Sequence, residues 1–479
     1  MKKIFIGMAI LSAGLFTSCS DFLTEEPKQE QSNELTFATF DGVNKAAAAM
    51  YGMFQSDAWY DGEFTLMSEL RCGNAKNPTS VPGSGRYRTD TQWIYSDHST
   101  SPLWSYAYYT IARANNVINN LDDKVGVDAT QQQVNNVKAE ALFIRALCYF
   151  DLVITYCQPY NYNATEDDKM GVPLVLVTEN GKPARDSKEN VYNQIVADLL
   201  QAESIMADDY VRSGVTDKAA TPTKPAIQAL LSRVYLYMNK WQEAANYATK
   251  VINNKKYELA PADAYAAMFS AATAPEGGEI IFEVYGSDKN EYWDNSGWAH
   301  LLYMTTTDDQ GSHGDVCATK DLYDLYSEGD VRKSMFKQHG NDYFPTKYSG
   351  KPKDSDPKYT NVPILRLSEM YLNRAEAIIN GASIQGVTAE SDLRKIATVR
   401  GASQTAAATK QGVFDERRRE LAFEGHIAAD YARCNKSMTR KDFDDSKNKE
   451  VAFPSYMWAL PIPNRERTAN PNVAQNPGY

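Results

Sequence analysis

The sequence has few of the residues that build disulfide frameworks, metal centres or hydrolytic sites. Its 479 residues include 6 cysteines and 5 histidines, and no CxxC pair occurs. Because the cysteines are widely scattered, we predict neither a disulfide framework nor structural zinc, and we expect most of them to be plain buried residues. The motifs HExxH, GxSxG, GxxxxGK[ST] and GxGxxG are missing as well, which argues against metalloprotease, serine-hydrolase and nucleotide-binding sites.

Positive charge is also scarce. Fifty Lys and Arg residues stand against 61 Asp and Glu residues, which gives a formal net charge of −11. A nucleic-acid partner would require a basic face, so none is predicted. Beyond the N-terminal stretch no apolar run reaches the 18 residues of a membrane helix, and the body is expected to fold outside the bilayer.

The N-terminal stretch has the pattern of a bacterial lipoprotein signal. Two lysines are followed by the apolar run Ile4–Phe16, which is too short to span a bilayer, and small residues then precede Cys19. We predict a signal peptide at residues 1–18 and a lipidated tether at 19–35, with acyl chains on Cys19. The alternative is an ordinary signal peptide followed by an incidental cysteine.

The remainder is predicted to be mainly α-helical, as one domain over residues 36–479. Apolar residues spaced by three and four, followed by a break and a second helix rich in Ala, indicate a tetratricopeptide-like helix hairpin at 225–254. Other helical candidates lie at 40–57, 103–121, 134–157, 189–206, 363–380 and 413–434. The segment 134–157 is apolar on nearly every side, so its Arg145 and Asp151 must be paired inside the protein.

Two long loops interrupt the helical pattern, near 72–102 and near 286–315. Both are rich in Gly or Pro, yet both also contain Trp and Tyr, so we expect them to be ordered and to carry a ligand site. A strand-like segment, Glu279–Tyr285, precedes the second loop.

An ordered set of segments resembles one family, the SusD-like (RagB-like) outer-membrane lipoproteins of Bacteroidetes. The segments are CSDFL at 19–23, KAEALFIRALCYFDLV at 138–153, MGVPLVL at 170–176, the hairpin at 225–252, ILRLSEMYLNRAEAI at 364–378, ERRRELAFEGHIAADYAR at 416–433 and WALPIPNRERTANPNVAQNPGY at 458–479. The resemblance covers essentially the whole chain and keeps the expected order.

The resemblance implies a tetratricopeptide-like scaffold with four helix-hairpin units and long irregular loops. It also implies a lipid-anchored protein at the surface of the outer membrane. Such a protein binds an oligosaccharide or polysaccharide for polysaccharide utilisation and delivers it to a SusC-like TonB-dependent transporter. Neither catalytic activity nor a cofactor or metal is implied. A RagB-like protein would bind peptides instead, and that alternative stays open.

For a glycan ligand, the predicted binding residues are aromatic and planar polar side chains in the two loops. An aromatic ring can cover the C–H face of a sugar while Asn and Arg side chains bond the rim hydroxyls. The candidate ligand-binding residues are Trp93, Trp293, Trp298, Tyr87, Tyr292, Asn74, Arg88 and Asn295. For each aromatic residue, the alternative is that the ring only pins its loop to the body.

Two charged patterns leave other functions to consider. A glycosidase needs only two suitably separated carboxylates, for which Asp308–Asp309 and Asp354–Asp356 are candidates, although solvated loop charges are the more ordinary interpretation. The run Glu416–Glu420 could be imagined as an anion clamp. Because it lies in an apolar-periodic helix, we expect structural ion pairs there instead.

Overall fold

The computed structural model describes residues 33–80, 86–99, 101–286, 314–348, 350, 360–442 and 448–479. Helices dominate these ranges, in agreement with the predicted mainly α class. Their bounds are α1 Asn33–Thr36, α2 Phe40–Ala48, α3 Glu63–Arg71, α4 Arg88–Gln92, α5 Leu103–Asn119, α6 Gln131–Tyr156, α7 Lys188–Ile205, α8 Lys224–Tyr237, α9 Trp241–Ile252, α10 Ala262–Ser270, α11 Lys320–Tyr323, α12 Leu367–Ile379, α13 Ala389–Val399, α14 Lys410–Glu420, α15 Ile427–Arg433 and α16 Asn464–Ala469.

The scaffold is a succession of helices, each packed against the next. Contacts run from α5 to α6, α7, α8 and α9, and then across the chain to α12 and α13. The predicted hairpin is the pair α8 and α9, which meet through buried alanines, Ala244, Ala245 and Ala248, that let the helix axes approach closely. This arrangement confirms the tetratricopeptide-like scaffold.

Helix α6 forms the centre of the core. It begins at a capping box in which Thr130 and Gln133 satisfy each other's backbone amides. Its residues are buried on nearly every side, as their apolar pattern predicts. Arg145 forms an ion pair with Asp198, with 2.7 Å between Nη2 and Oδ1. Asp151 forms no ion pair with a described residue but accepts hydrogen bonds from Trp59 and Tyr60.

Short strands tie the loops to the helices. Their bounds are β1 Ala75–Lys76, β2 Ile280–Val284, β3 Cys317–Ala318, β4 Phe336–His339, β5 Asp342–Pro345, β6 Val362–Arg366, β7 Met438–Thr439 and β8 Glu450–Val451. Antiparallel pairing gives a sheet of order β1-β3-β5-β4 and the two-stranded sheets β2-β6 and β7-β8. Strand β2 confirms the strand-like prediction for 279–285.

Two predicted helices differ from the structure. The segment 363–380 begins as strand β6, because its first residues pair with β2 about eighty residues earlier in the chain. The segment 413–434 is two helices, since Phe423 and Gly425 take left-handed φ values of 62° and 82° between them. The turn brings the amide of Gly425 to Glu69, which accepts its hydrogen bond at 3.0 Å.

Each residue of the charged run Glu416–Glu420 forms an ion pair, as expected, and all of them except the half-buried Arg419 are buried. Glu420 is completely buried and lies 2.6 Å from Arg366, 2.7 Å from Arg400 and 2.9 Å from Arg332. Burial alone would raise the pKa of Glu420, but these guanidinium groups hold it well below its ordinary value. The network joins β6, α13 and α14 into one unit.

The four buried cysteines confirm the expectation drawn from their spacing. Cys72, Cys148, Cys157 and Cys317 are buried free thiols, and Cys434 is half-buried. Burial raises the pKa of Cys72 to about 12, so this thiol is an unreactive apolar side chain at neutral pH.

The pH dependence of stability is expected to reflect the Asp151 carboxyl. This group is 3 % exposed, and its burial raises its pKa to about 7 despite the hydrogen bonds from Tyr60 and Trp59. Because the folded pKa exceeds the unfolded value, stability falls as the pH rises through the window from about 4 to 7. Asp151→Asn removes this titration. As the pH rises through that window, the free energy of unfolding of the variant should therefore increase relative to that of wild type by up to about 1.4 kcal/mol per pH unit.

Urea unfolding at pH 4.5, 5.5, 6.5 and 7.5 measures this difference. The exposed Asp41→Asn is the matched control and should stay parallel to wild type. A constant difference between Asp151→Asn and wild type at all four pH values would contradict the buried, protonated carboxyl.

Candidate functional site

A cavity of about 620 Å³ lies beside the first predicted loop, and we call it the loop cavity. Its lining comes from the start of α3, from residues 87–101, from the end of α6 and from the C-terminal segment. The lining residues are Glu63, Met67, Tyr87, Arg88, Thr89, Asp90, Ile94, Tyr95, Ser96, His98, Ser99, Ser101, Tyr156, Leu460 and Pro461.

Two aromatic residues of the first loop have an unusual backbone conformation. Tyr87 and Trp93 flank the one-turn helix α4, and both take left-handed φ values, 60° and 52°. Large side chains are rare in the left-handed region of the Ramachandran plot, and the backbone strain there persists only where the surrounding structure enforces it. Thr91 helps to do so, since its hydroxyl donates to the Tyr87 carbonyl at 2.8 Å.

Trp93 holds the loop to the body, and its predicted role as a ligand platform is corrected. The side chain is 3 % exposed, and its indole N–H donates to the Arg71 carbonyl at 2.7 Å. The Arg71 guanidinium lies 4.3 Å above the ring, and Trp458 packs edge-on at 5.1 Å. With its ring covered in this way, Trp93 has no free surface on which a sugar could stack.

Asn74 is likewise a structural residue rather than a rim partner. It is 1 % exposed, its amide donates to Glu69 at 2.7 Å, and its side-chain oxygen accepts from Arg418 at 2.6 Å. Both ends of the amide are therefore occupied. Arg418 belongs to the run Glu416–Glu420, so the internal ion-pair network also fixes the start of the first loop.

Tyr87 and Arg88 lie together at the loop cavity, where the sequence analysis placed a site. Tyr87 is half-buried, and Arg88 is exposed. The Arg88 guanidinium makes no hydrogen bond or ion pair with any residue that the structure describes. An aromatic ring beside an unengaged planar donor is the pairing that a sugar face and its rim hydroxyls require.

The four other candidates lie outside the described residues: Tyr292, Trp293, Asn295 and Trp298. The same holds for Cys19, Asp308–Asp309 and Asp354–Asp356. What the structure does describe is the end of the second loop, where strand β3 pairs with strand β1 at the start of the first loop. Asn77 also donates to the Asp315 carbonyl at 3.2 Å, so the flanks of the two loops are neighbours.

Burial shifts the pKa of both acidic groups that line the loop cavity. It raises the pKa of Glu63 to about 8, and the nearby Asp90 and Asp57 carboxyls add to the shift. Burial also raises the pKa of Asp90, although Tyr95 donates a hydrogen bond to it at 2.6 Å. At neutral pH Glu63 is therefore mainly the uncharged acid, beside serine, threonine and tyrosine hydroxyls.

Several lining residues were not predicted from the sequence. Glu63 begins a helix and belongs to no motif, so nothing local distinguishes it from a solvated acid. Leu460 and Pro461 lie in the C-terminal segment, which served only as a mark of family resemblance. Their place at the cavity depends on contacts between distant parts of the chain, such as the bond from the Leu460 amide to the Thr155 carbonyl at 2.9 Å.

The described ranges contain neither a cluster of metal ligands nor a helix suited to span a membrane. In these ranges no three His, Cys, Asp or Glu side chains converge in a way that could hold a metal ion. None of the helices described here combines the length and apolar character needed to cross a bilayer.

Comparisons with known proteins agree with this architecture. The family model described as "Starch-binding associating with outer membrane" matches residues 21–236, and the SusD family model matches residues 337–479. A SusD-like protein P2 of Formosa agariphila is 25 % identical, with 100 % of each chain covered. The starch-binding protein SusD of Bacteroides thetaiotaomicron is 36 % identical over 126 residues, which are 25 % of this chain and 22 % of that protein.

Solved structures show the same fold. A putative sugar binding protein from Bacteroides vulgatus superposes with a TM-score of 0.80 at 27 % identity, covering 92 % of this chain and 99 % of that one. A SusD superfamily protein from Bacteroides thetaiotaomicron also gives 0.80 at 27 % identity, over 92 % and 100 % of the two chains. The two family models span more than half of the sequence between them, and full-length relatives share the helical scaffold. The chain belongs to the SusD/RagB family.

Proposed function

We propose that this protein is a cell-surface lipoprotein that captures oligosaccharides in the loop cavity and delivers them to a TonB-dependent outer-membrane transporter. The observation that carries the proposal is the cavity itself, whose lining includes the half-buried Tyr87 and the exposed Arg88, which has no ion pair among the described residues. Relatives named for binding starch or sugar support the carbohydrate class.

The lining suits a sugar for physical reasons. The Tyr87 ring covers the C–H face of a pyranose at little cost in side-chain entropy, because the strained loop already fixes it. Arg88 then donates paired hydrogen bonds to neighbouring rim hydroxyls, and serine and threonine hydroxyls complete the lining. Trp293, Trp298, Tyr292 and Asn295 in the second loop remain part of the proposed site, since the flanks of that loop adjoin the first.

Binding without hydrolysis is favoured by the relatives, which are named for binding starch or sugar. Glycosidases pair a protonated acid with an ionised carboxylate. Glu63, whose burial raises its pKa to about 8, would suit only the first of these roles.

A glycan array probed with the purified protein tests the proposed function. We expect retention of one class of oligosaccharide with no release of reducing ends over a long incubation. A peptide library on the same support provides the contrast. Retention of peptides without any glycan would contradict the carbohydrate ligand, and steady release of reducing ends would contradict a purely binding role.

The proposed anchor gives a separate prediction. Cys19→Ala removes the thioether that would carry the acyl chains, so the protein should leave the outer-membrane fraction for the soluble fraction. Cell fractionation followed by immunoblotting measures this shift, with Cys434→Ala as the matched control that should stay in the membrane fraction. To exclude retention by the transporter, the test is repeated in cells that lack it. Cys19→Ala protein that still sediments with their membranes would contradict the lipid anchor.

A further inference from the structure

The loop cavity contains a carboxyl group with no partner. Glu63 lines the cavity and is half-buried, yet its carboxyl makes no hydrogen bond or ion pair with any residue that the structure describes. Half-buried carboxyls are ordinarily paired or hydrogen-bonded, because an unpaired charge is costly to desolvate. An unpartnered acid that faces a ligand cavity points to a partner supplied by the ligand.

The local backbone explains why Glu63 is held there. The chain folds back between Asp57 and Glu63, whose amide donates to the Asp57 carbonyl at 2.5 Å. Gly62 makes this close return possible, since a Cβ at that position would lie only 1.9 Å from the same carbonyl oxygen. The turn places Glu63 at the first position of α3, close enough to Asp90 and Asp57 for their charges to act on its carboxyl.

The charges that shift the pKa of Glu63 are of its own sign. Burial is the largest cause of its raised pKa, about 8, followed by Asp90 and then Asp57. The other titratable or charged groups that line the cavity or interact with these residues are Asp61, Arg71, Arg86, Tyr87, Arg88, Tyr95, His98, Tyr156 and Tyr479. Among the described residues, none of the cations in that set is paired with Glu63.

We propose that Glu63 is a specificity-determining residue that acts as a neutral carboxylic acid and donates its O–H to a hydroxyl of an uncharged sugar. The inference rests on the proposed function and narrows its substrate class. A uronic or sulfated sugar would bring a negative charge toward Asp57 and Asp90 beside Glu63, so this end of the cavity selects against anionic glycans. An amino sugar would instead draw a proton from Glu63 and form an ion pair with it.

These ligand classes differ in the sign of their pH dependence. A neutral sugar needs the protonated acid, so its affinity falls as Glu63 ionises above about pH 8. An ammonium ligand needs the carboxylate, so its affinity rises over the part of the range in which the ligand's own amine stays charged. Glu63→Gln retains an N–H donor and carries no titrating proton, and it should bind neutral sugars with no such pH profile.

Isothermal titration calorimetry at pH 7.5, 8.5 and 9.5 provides the test. This pH range lies above the one in which imidazoles ordinarily titrate, so histidines do not contribute to the profile. The probes are a neutral hexasaccharide retained on the glycan array, chitosan hexaose and an oligogalacturonate of equal length. For the neutral probe, wild-type affinity should fall about tenfold between pH 7.5 and 9.5. The Glu63→Gln profile should be flat, and the exposed Glu189→Gln on α7 should follow wild type.

Each outcome decides between the ligand classes. Parallel profiles for wild type and Glu63→Gln overturn the inference while leaving glycan capture intact. Tighter binding of chitosan hexaose than of the neutral probe, lost in Glu63→Gln, overturns it in favour of an amino sugar. Equal or tighter binding of the oligogalacturonate also overturns it. If no oligosaccharide binds at any pH, the proposed function itself fails, and the inference fails with it.

Discussion

Replacing Glu420 by alanine is expected to lower the free energy of unfolding by about 3–5 kcal/mol. The substitution removes one of the two buried carboxylates that both Arg366 and Arg400 contact. It leaves Glu279 as the other, between two arginines that are each at most 1 % exposed. Removing one member of a buried ion network is costly because the remaining charges can neither be neutralised nor reach water. Arg332 also loses one of its acceptors, although Asp330 and Glu416 still hold it.

Urea unfolding followed by circular dichroism at 25 °C measures the effect. The matched control is Glu390→Ala, which removes one side of the exposed pair with Arg394 on α13 and should change stability by less than about 0.5 kcal/mol. A loss of under 1 kcal/mol for Glu420→Ala would show that the network does not unite β6, α13 and α14 energetically.

Replacing Tyr87 by asparagine is expected to weaken glycan binding by about 1.5–3 kcal/mol, which corresponds to roughly tenfold or more in affinity. Asparagine tolerates the left-handed conformation, so the substitution removes the ring while keeping the backbone of the loop. The lost free energy comes from the contact between the ring and the sugar face, together with the rigidity that made this contact inexpensive in entropy.

Calorimetry on the array-selected oligosaccharide measures this loss. Tyr109→Asn is the matched control, because Tyr109 is 53 % exposed on α5 and is not among the lining residues of the cavity. Thermal unfolding of Tyr87→Asn should resemble that of wild type, which separates lost contact from lost fold. Unchanged affinity in a folded Tyr87→Asn protein would show that the loop cavity is not the glycan-binding site.

The spacing of apolar residues predicts the helices well, but it fails where pairing with a distant segment determines the secondary structure. The hairpin α8–α9 follows directly from apolar residues spaced by three and four, and α6 follows from a run that is apolar on every side. Strand β6 is different, because residues 362–366 are extended only through their pairing with β2. No pattern within the segment carries that information.

The same distinction explains the candidate site. The composition of the first loop predicts Tyr87 and Arg88 as candidates, since aromatic and planar polar residues stand among glycines and prolines, and both residues line the loop cavity. The burial of Trp93 depends on Trp458, 365 positions later in the sequence, and the engagement of Asn74 depends on Arg418. The local sequence does not distinguish an aromatic residue that packs a loop against the body from one that binds a ligand.

The most direct test of the account is the crystal structure of the protein soaked with the oligosaccharide that the array selects. We predict a pyranose ring against Tyr87, with rim hydroxyls bonded by Arg88 and Glu63. Well-defined sugar density at another surface, with the loop cavity empty at saturating ligand, would contradict the account.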